Sequence, residues 1–150
     1  MKNYCFELSL RYKTSRRIAP SSDEIITNPA SAKKFVSRLF SREAVEHHEE
    51  FYLIALSRSN TPIGYTKLSV GGTSASIVDI RIAMQYLILS NASGFIMAHN
   101  HPSCNLKPSN EDIHITKKLS EAAKMFDITL YDHFIITRFD VFSFCENGLL

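Results

Sequence analysis

Cysteine pairs are missing from this chain. Cys5, Cys104 and Cys145 form no C-x-x-C motif, and their number is odd. That argues against a disulfide framework and makes a reducing cytoplasm the expected compartment. No run of about 18 apolar residues exists, so no membrane span is expected. No long apolar run follows the charges of the N-terminus, so no signal peptide is expected. The two signs nearly cancel, 17 Lys and Arg against 15 Asp and Glu, for a formal net charge of +2. Such a balance gives little attraction to nucleic acid or to a membrane surface. The local basic clusters (Arg11, Lys13, Arg16, Arg17; Lys117, Lys118) read as solvated faces. There is no internal repeat and no low-complexity tract.

What remains is a globular composition. The chain has 150 residues, 45% of them apolar, which suffices for one ordinary domain with a real core. Residues 4–12 alternate in part and read as a strand, 14–28 as a polar loop, and 29–40 as a short helix with Phe35, Val36 and Leu39 as its apolar stripe. Residues 1–45 are thus expected to form a strand and helix elaboration packed on a core built by 46–150. In that core, 51–57 and 64–70 read as a hairpin turned by Thr61-Pro62, and 79–90 as a helix. A short apolar strand, 94–98, delivers His99. A helix over 109–126 is expected to carry Ile113, Thr116, Leu119, Ala123 and Phe126 on its buried face. Segments 128–131, 133–137 and 141–144 read as the last strands. The alternation predicts an α/β sandwich around a mixed sheet flanked by helices.

The most informative segment is His99-Asn100-His101-Pro102-Ser103, followed by Ser109-Asn110-Glu111-Asp112. Two histidines one residue apart on extended chain point the same way. A short loop then brings a helix-borne carboxylate toward them. Three N/O ligands leave a tetrahedral zinc one open position, the pattern of a catalytic rather than a closed structural site. Ser109 and Asp112 also fit a capping box, and the two readings are compatible. Asp112 lies on the helix face assigned to the core, where a carboxylate wants a partner. Ser109 is then a candidate donor to an oxyanion. Glu49 and Glu50 stand at the mouth of the strand beginning at Phe51 and point to opposite faces. One is expected to enter the site as a base while the other faces solvent; a solvated acidic turn is the plain alternative.

Several look-alikes fail. His48-Glu49-Glu50-Phe51-Tyr52 lacks the second histidine of H-E-x-x-H. The H-x-E and P-C-x-x-C elements of a nucleobase deaminase are absent. The letters His-Asn-His do not make an HNH nuclease, whose three residues are spread through a ββα unit. His47, His48, His114 and His133 read as surface or supporting positions. His133 stands out among them, because Asp132-His133 interrupts two apolar strand runs.

His99, His101, seven residues, Ser109, two residues and Asp112 resemble the JAMM metal signature of JAB/MPN-domain metalloproteases. The fuller pattern resembles the short form of the RadC family of bacterial JAB-domain proteins. It comprises His-Asn-His-Pro-Ser, Pro108-Ser109, Asp112, Thr116 and Asp132-His133-Phe134-Ile135-Ile136. Glu49-Glu50-Phe51, Gly71-Gly72, Asp79-Ile80-Arg81 and the closing Glu146-Asn147-Gly148-Leu149-Leu150 fit it too. The likeness is strong over residues 46–150 and weaker before. It implies a cytidine-deaminase-like α/β sandwich with one zinc per chain held by His99, His101 and Asp112. It further implies Glu49 as the general base and Ser109 as the oxyanion donor; Ser103, Cys104, Thr116 and His133 are candidate supporting residues around that site. The implied activity is hydrolysis of a peptide or isopeptide bond in a protein substrate. A DNA-repair or nucleic-acid-associated role, and a metal-binding but inactive scaffold, are the alternatives. One departure stands out: Cys104 occupies a position where the family usually has glycine. A cysteine there is strained if the backbone needs φ > 0, and it puts a thiol near the metal position.

Overall fold

The computed structural model describes residues 25–71 and 78–150. The expected strand over 4–12 and most of the loop over 14–28 lie outside them. The elements run α1 (Pro29–Ser37), α2 (Arg42–Val45), β1 (Glu50–Leu56), β2 (Pro62–Val70), α3 (Ile80–Leu89), β3 (Gly94–Asn100), α4 (Asn110–Lys124), β4 (Thr129–Ile136) and β5 (Val141–Ser143). The strands form one five-stranded sheet in the order β2-β1-β3-β4-β5. β1 pairs antiparallel with β2 and β3, β4 antiparallel with β5, and only β3 and β4 run parallel. A parallel pair needs a crossover, and α4 supplies it. The fold is therefore an α/β sandwich around a mixed sheet, as expected.

Strand alternation sorts the core into two layers. Tyr52, Ile54 and Leu56 of β1, Ile96 and Ala98 of β3, and Phe134 and Ile136 of β4 share a cluster with Ala32, Phe35 and Val36 of α1. Leu39, Phe40 and Val45 complete it, so residues from Ile26 onward belong to the same core as the sheet. On the opposite face Phe51, Leu53 and Ala55, with Phe95 and Met97, pack against Ala83, Met84 and Leu87 of α3 and Leu119 and Ala123 of α4. Parity then dictates that His99 follows Phe95 and Met97 onto the α4 side. Asn100 follows Ile96 and Ala98 onto the α1 side.

Local chemistry explains the ends. Asn28 caps α1 in a capping box with Ser31, Pro29 opens the helix, and Asp79 caps α3. Asn91 and Asp127 turn the chain after α3 and α4 with φ of 52° and 56°, a region that Asn and Asp tolerate. A Cβ at Gly94 would overlap the Tyr131 ring, so that ring lies over β3 where residue 94 has no side chain.

Three expectations change. The strands expected over 128–131 and 133–137 are one strand, β4. Asp132 reads as a break, yet it is buried and paired: Ser143 Oγ and the amides of His133 and Cys145 all donate to its carboxyl. β3 extends two residues beyond 98 and carries His99 within the sheet, opposite Phe51. On α4, Ile113 and Phe126 are exposed, and Phe126 lies past the helix end. The buried stripe is Thr116, Leu119 and Ala123, with Asp112 one turn earlier on the same face.

Candidate metal centre

The site lies where β3 ends and α4 begins, in a cleft of about 1180 Å³. His99 is held on the sheet, and His101 follows it with its amide bonded to the Ile136 carbonyl at 3.0 Å. Asp112 arrives on the first turn of α4, fixed by the capping box: Ser109 Oγ accepts from the Asp112 amide, and Asp112 Oδ2 accepts from the Ser109 amide at 2.7 Å. The expected capping box is present, and the same geometry sets Asp112 beside His99 and His101. Such a cap stabilises the helix by about 1 kcal/mol.

Three side chains converge. His99 Nε2 lies 2.9 Å from His101 Nε2 and 3.1 Å from Asp112 Oδ1, and His101 Nε2 lies 3.4 Å from Asp112 Oδ2. Ligands about 2.0–2.2 Å from a tetrahedral zinc stand about 3.3–3.5 Å from one another. The observed separations are close to that, and two imidazoles with a carboxylate are a suitable donor set. Among the described residues, His99, His101 and Asp112 form the cluster able to hold an ion. Cys104 is not part of it.

The surroundings shape these groups. His101 Nδ1 lies 2.6 Å from the Asn105 carbonyl, which only accepts. That nitrogen therefore carries the proton, and Nε2 keeps its lone pair for an ion. Burial lowers the His101 pKa, but the Asp112 carboxylate and the Asn105 carbonyl outweigh it and raise the value. Burial likewise pushes the Asp112 carboxyl up. Its close contacts with His101, His99 and Ser109 hold it instead well below the usual carboxylate range. Phe51 stacks on the His99 ring, with centroids 5.5 Å apart and planes 6° apart. His99 Nδ1 meets His133 Nε2 at 2.8 Å, and His133 Nδ1 meets Thr116 Oγ1 at 2.6 Å. His133 is fully buried, and desolvation lowers its pKa well below the ordinary imidazole value.

Glu49 lines the cleft together with His99, His101 and Asp112. Glu50 takes the other face, as alternation requires, but it does not face solvent. It is buried and bonded by Lys67, His48 and the Tyr52 hydroxyl. Ser109 also lines the cleft, and its hydroxyl donates to Asp112 Oδ2 at 2.7 Å. Donation to an oxyanion requires that hydroxyl to turn away from Asp112. Ser103 is exposed at the rim. Cys104 has φ of 59°, the left-handed backbone expected of a glycine position, and its amide bonds the His101 carbonyl.

Asn100 had no assigned role in the sequence. It is fully buried on the far face of β3. Its Nδ2 donates to the Val45 and His48 carbonyls at 2.9 and 2.8 Å, and its Oδ1 accepts from the Glu50 amide at 2.7 Å. It ties the segment carrying Glu49 to the strand carrying His99. The available signal was its place between two histidines on a strand, which turns an amide side chain into the opposite core layer.

The sequence matches the family model for the RadC-like JAB domain over residues 26–149. It is 41% identical over 102 residues to a UPF0758 protein of Flavobacterium johnsoniae, covering 68% of this chain and 44% of that protein. It is 43% identical over 105 residues to a UPF0758 protein of Fusobacterium nucleatum, covering 70% and 45%. A UPF0758 protein of Haemophilus influenzae is 34% identical over 144 residues, covering 96% and 62%. The chain spans about half the length of the curated relatives it matches. No helix among the described residues is long and apolar enough to cross a membrane. With this match laid over the sheet, the crossover helix and the His-His-Asp cluster, the chain belongs to the RadC-like JAB domain family.

Proposed function

We propose that the chain is a zinc-dependent amide hydrolase acting on a peptide or isopeptide bond of a protein substrate. The observation that carries this reading is the convergence of His99, His101 and Asp112, whose ligand atoms lie within 4.8 Å of one another, in a cleft that Glu49 also lines. Zinc held by His99, His101 and Asp112 would polarise the scissile carbonyl and lower the pKa of a water to about 7. Glu49 then takes the proton of the attacking water and passes it to the leaving amine nitrogen, a step worth about 100-fold to 10,000-fold. Ser109, once its hydroxyl turns from Asp112, donates to the oxyanion. Phe51 and His133 keep the His99 ring dry and fixed.

The test is a panel of peptide and isopeptide substrates, given to the zinc-loaded protein and to Glu49→Gln. The expected result is turnover by the first and at least about 100-fold less by the second, with zinc retained in both. No turnover of any substrate by zinc-loaded protein, or turnover unchanged in Glu49→Gln, contradicts the reading.

A further inference from the structure

Thr116, His133 and His99 form a continuous hydrogen-bonded line from α4 through β4 to β3. Thr116 Oγ1 lies 2.5 Å from the Asp112 carbonyl and 2.6 Å from His133 Nδ1, and His133 Nε2 lies 2.8 Å from His99 Nδ1. The directions along this line follow from which atoms can donate. A carbonyl only accepts, so the single hydroxyl proton of Thr116 goes to the Asp112 carbonyl. The hydroxyl oxygen must then accept from His133, which places the His133 proton on Nδ1. His133 is fully buried between the Phe144 and Phe51 rings, and among the described residues its ring nitrogens meet Thr116 and His99 rather than a carboxylate. A second proton there would be a costly buried charge. Its Nε2 is therefore an acceptor, and His99 must donate from Nδ1.

We infer that Thr116 is a positioning residue for the metal site: through His133 it holds the His99 proton on Nδ1 and leaves the His99 Nε2 lone pair for the ion. The line begins at the backbone of Asp112 and ends at the ring of His99, so one candidate ligand sets the tautomer of another. His101 reaches the same tautomer independently, through the Asn105 carbonyl. The role rests on the metal reading proposed above, and the arrangement of protons does not.

The experiment compares the full chain with Thr116→Val, which keeps the shape and removes the hydroxyl, and Thr116→Ser, which restores it. Two-bond proton–nitrogen correlation spectra of the metal-free protein, at mildly alkaline pH, report the ring tautomers. Competition with a chelator reports zinc affinity. The expected result is Nδ1–H on both His133 and His99 in the wild type and in Thr116→Ser. Thr116→Val loses that fixed pattern and binds zinc about 10-fold to 100-fold more weakly. A wild-type His133 protonated on Nε2 overturns the inference, and this reading stands alone if Thr116→Val fails to fold. Equal zinc affinity in Thr116→Val and wild type overturns the role of Thr116 while leaving the metal site intact. A wild type that binds no zinc overturns the metal reading itself, and the role with it, whatever the ring pattern.

Discussion

The backbone amide of Glu50 donates to Asn100 Oδ1 at 2.7 Å, across the paired ends of β1 and β3. This bond joins the residue after the candidate base to the residue between two candidate ligands. The same asparagine holds the Val45 and His48 carbonyls, so the segment leading to Glu49 is clamped to the histidine strand. Phe51 sits opposite His99 in this register, and Glu49 is carried to the cleft side.

Asn100→Ala should leave these groups unpaired in the core and cost about 1–3 kcal/mol for each one that water cannot reach. Urea unfolding measures the loss. In the protein that remains folded, turnover should fall more than zinc affinity, because the Glu49 segment loosens while His99, His101 and Asp112 keep their own supports. Zinc affinity falling in step with turnover would contradict this division.

Glu49→Gln and Glu50→Gln should separate chemistry from stability. The first should abolish most hydrolysis and leave the urea midpoint unchanged. The second should lower stability by about 1–3 kcal/mol, since Lys67, His48 and Tyr52 lose a buried acceptor charge. Equal loss of hydrolysis in both folded variants would undo the assignment of faces.

Glu50 also sets a pH dependence. Burial raises its carboxyl, but the Lys67, His48 and Tyr52 contacts outweigh burial and leave its pKa below the model-peptide value. A depressed folded-state pKa contributes stability above the unfolded value, about 4.3, and that contribution fades as pH falls through the folded one. The stability gap between wild type and Glu50→Gln should therefore be full at neutral pH and close on acidification below about pH 4. A gap that persists unchanged at low pH would show that the charge is not its source.

Cys104→Gly should stabilise the protein. With φ of 59°, a side chain at this position carries a left-handed strain of about 1–2 kcal/mol, which glycine relieves less its own entropy cost. The expected gain is about 0.5–1 kcal/mol in urea unfolding, with zinc affinity unchanged. Loss of zinc in this variant would make the thiol a ligand.

Much of this was legible in the sequence because period and spacing are local. The parity of His99 and His101, the capping box of Ser109 and Asp112, and the helix over α3 all follow from positions a few residues apart. Long-range polar pairing was not legible. Asp132 broke the apolar pattern of β4 because its partners, Ser143 and Cys145, come from β5 and beyond. Glu50 was expected in solvent because Lys67 sits on the neighbouring strand and His48 precedes the sheet. Ile113 reads as core because it is apolar and stands three residues before Thr116, yet the buried stripe runs through Thr116, Leu119 and Ala123 and leaves it exposed.

The most direct measurement is the zinc content of the purified protein, by elemental analysis, beside His101→Ala. The account predicts about one zinc per chain in the wild type, as the three-ligand catalytic pattern requires, and its loss in the variant. No zinc in wild-type protein supplied with the metal, or equal zinc in His101→Ala, would contradict it.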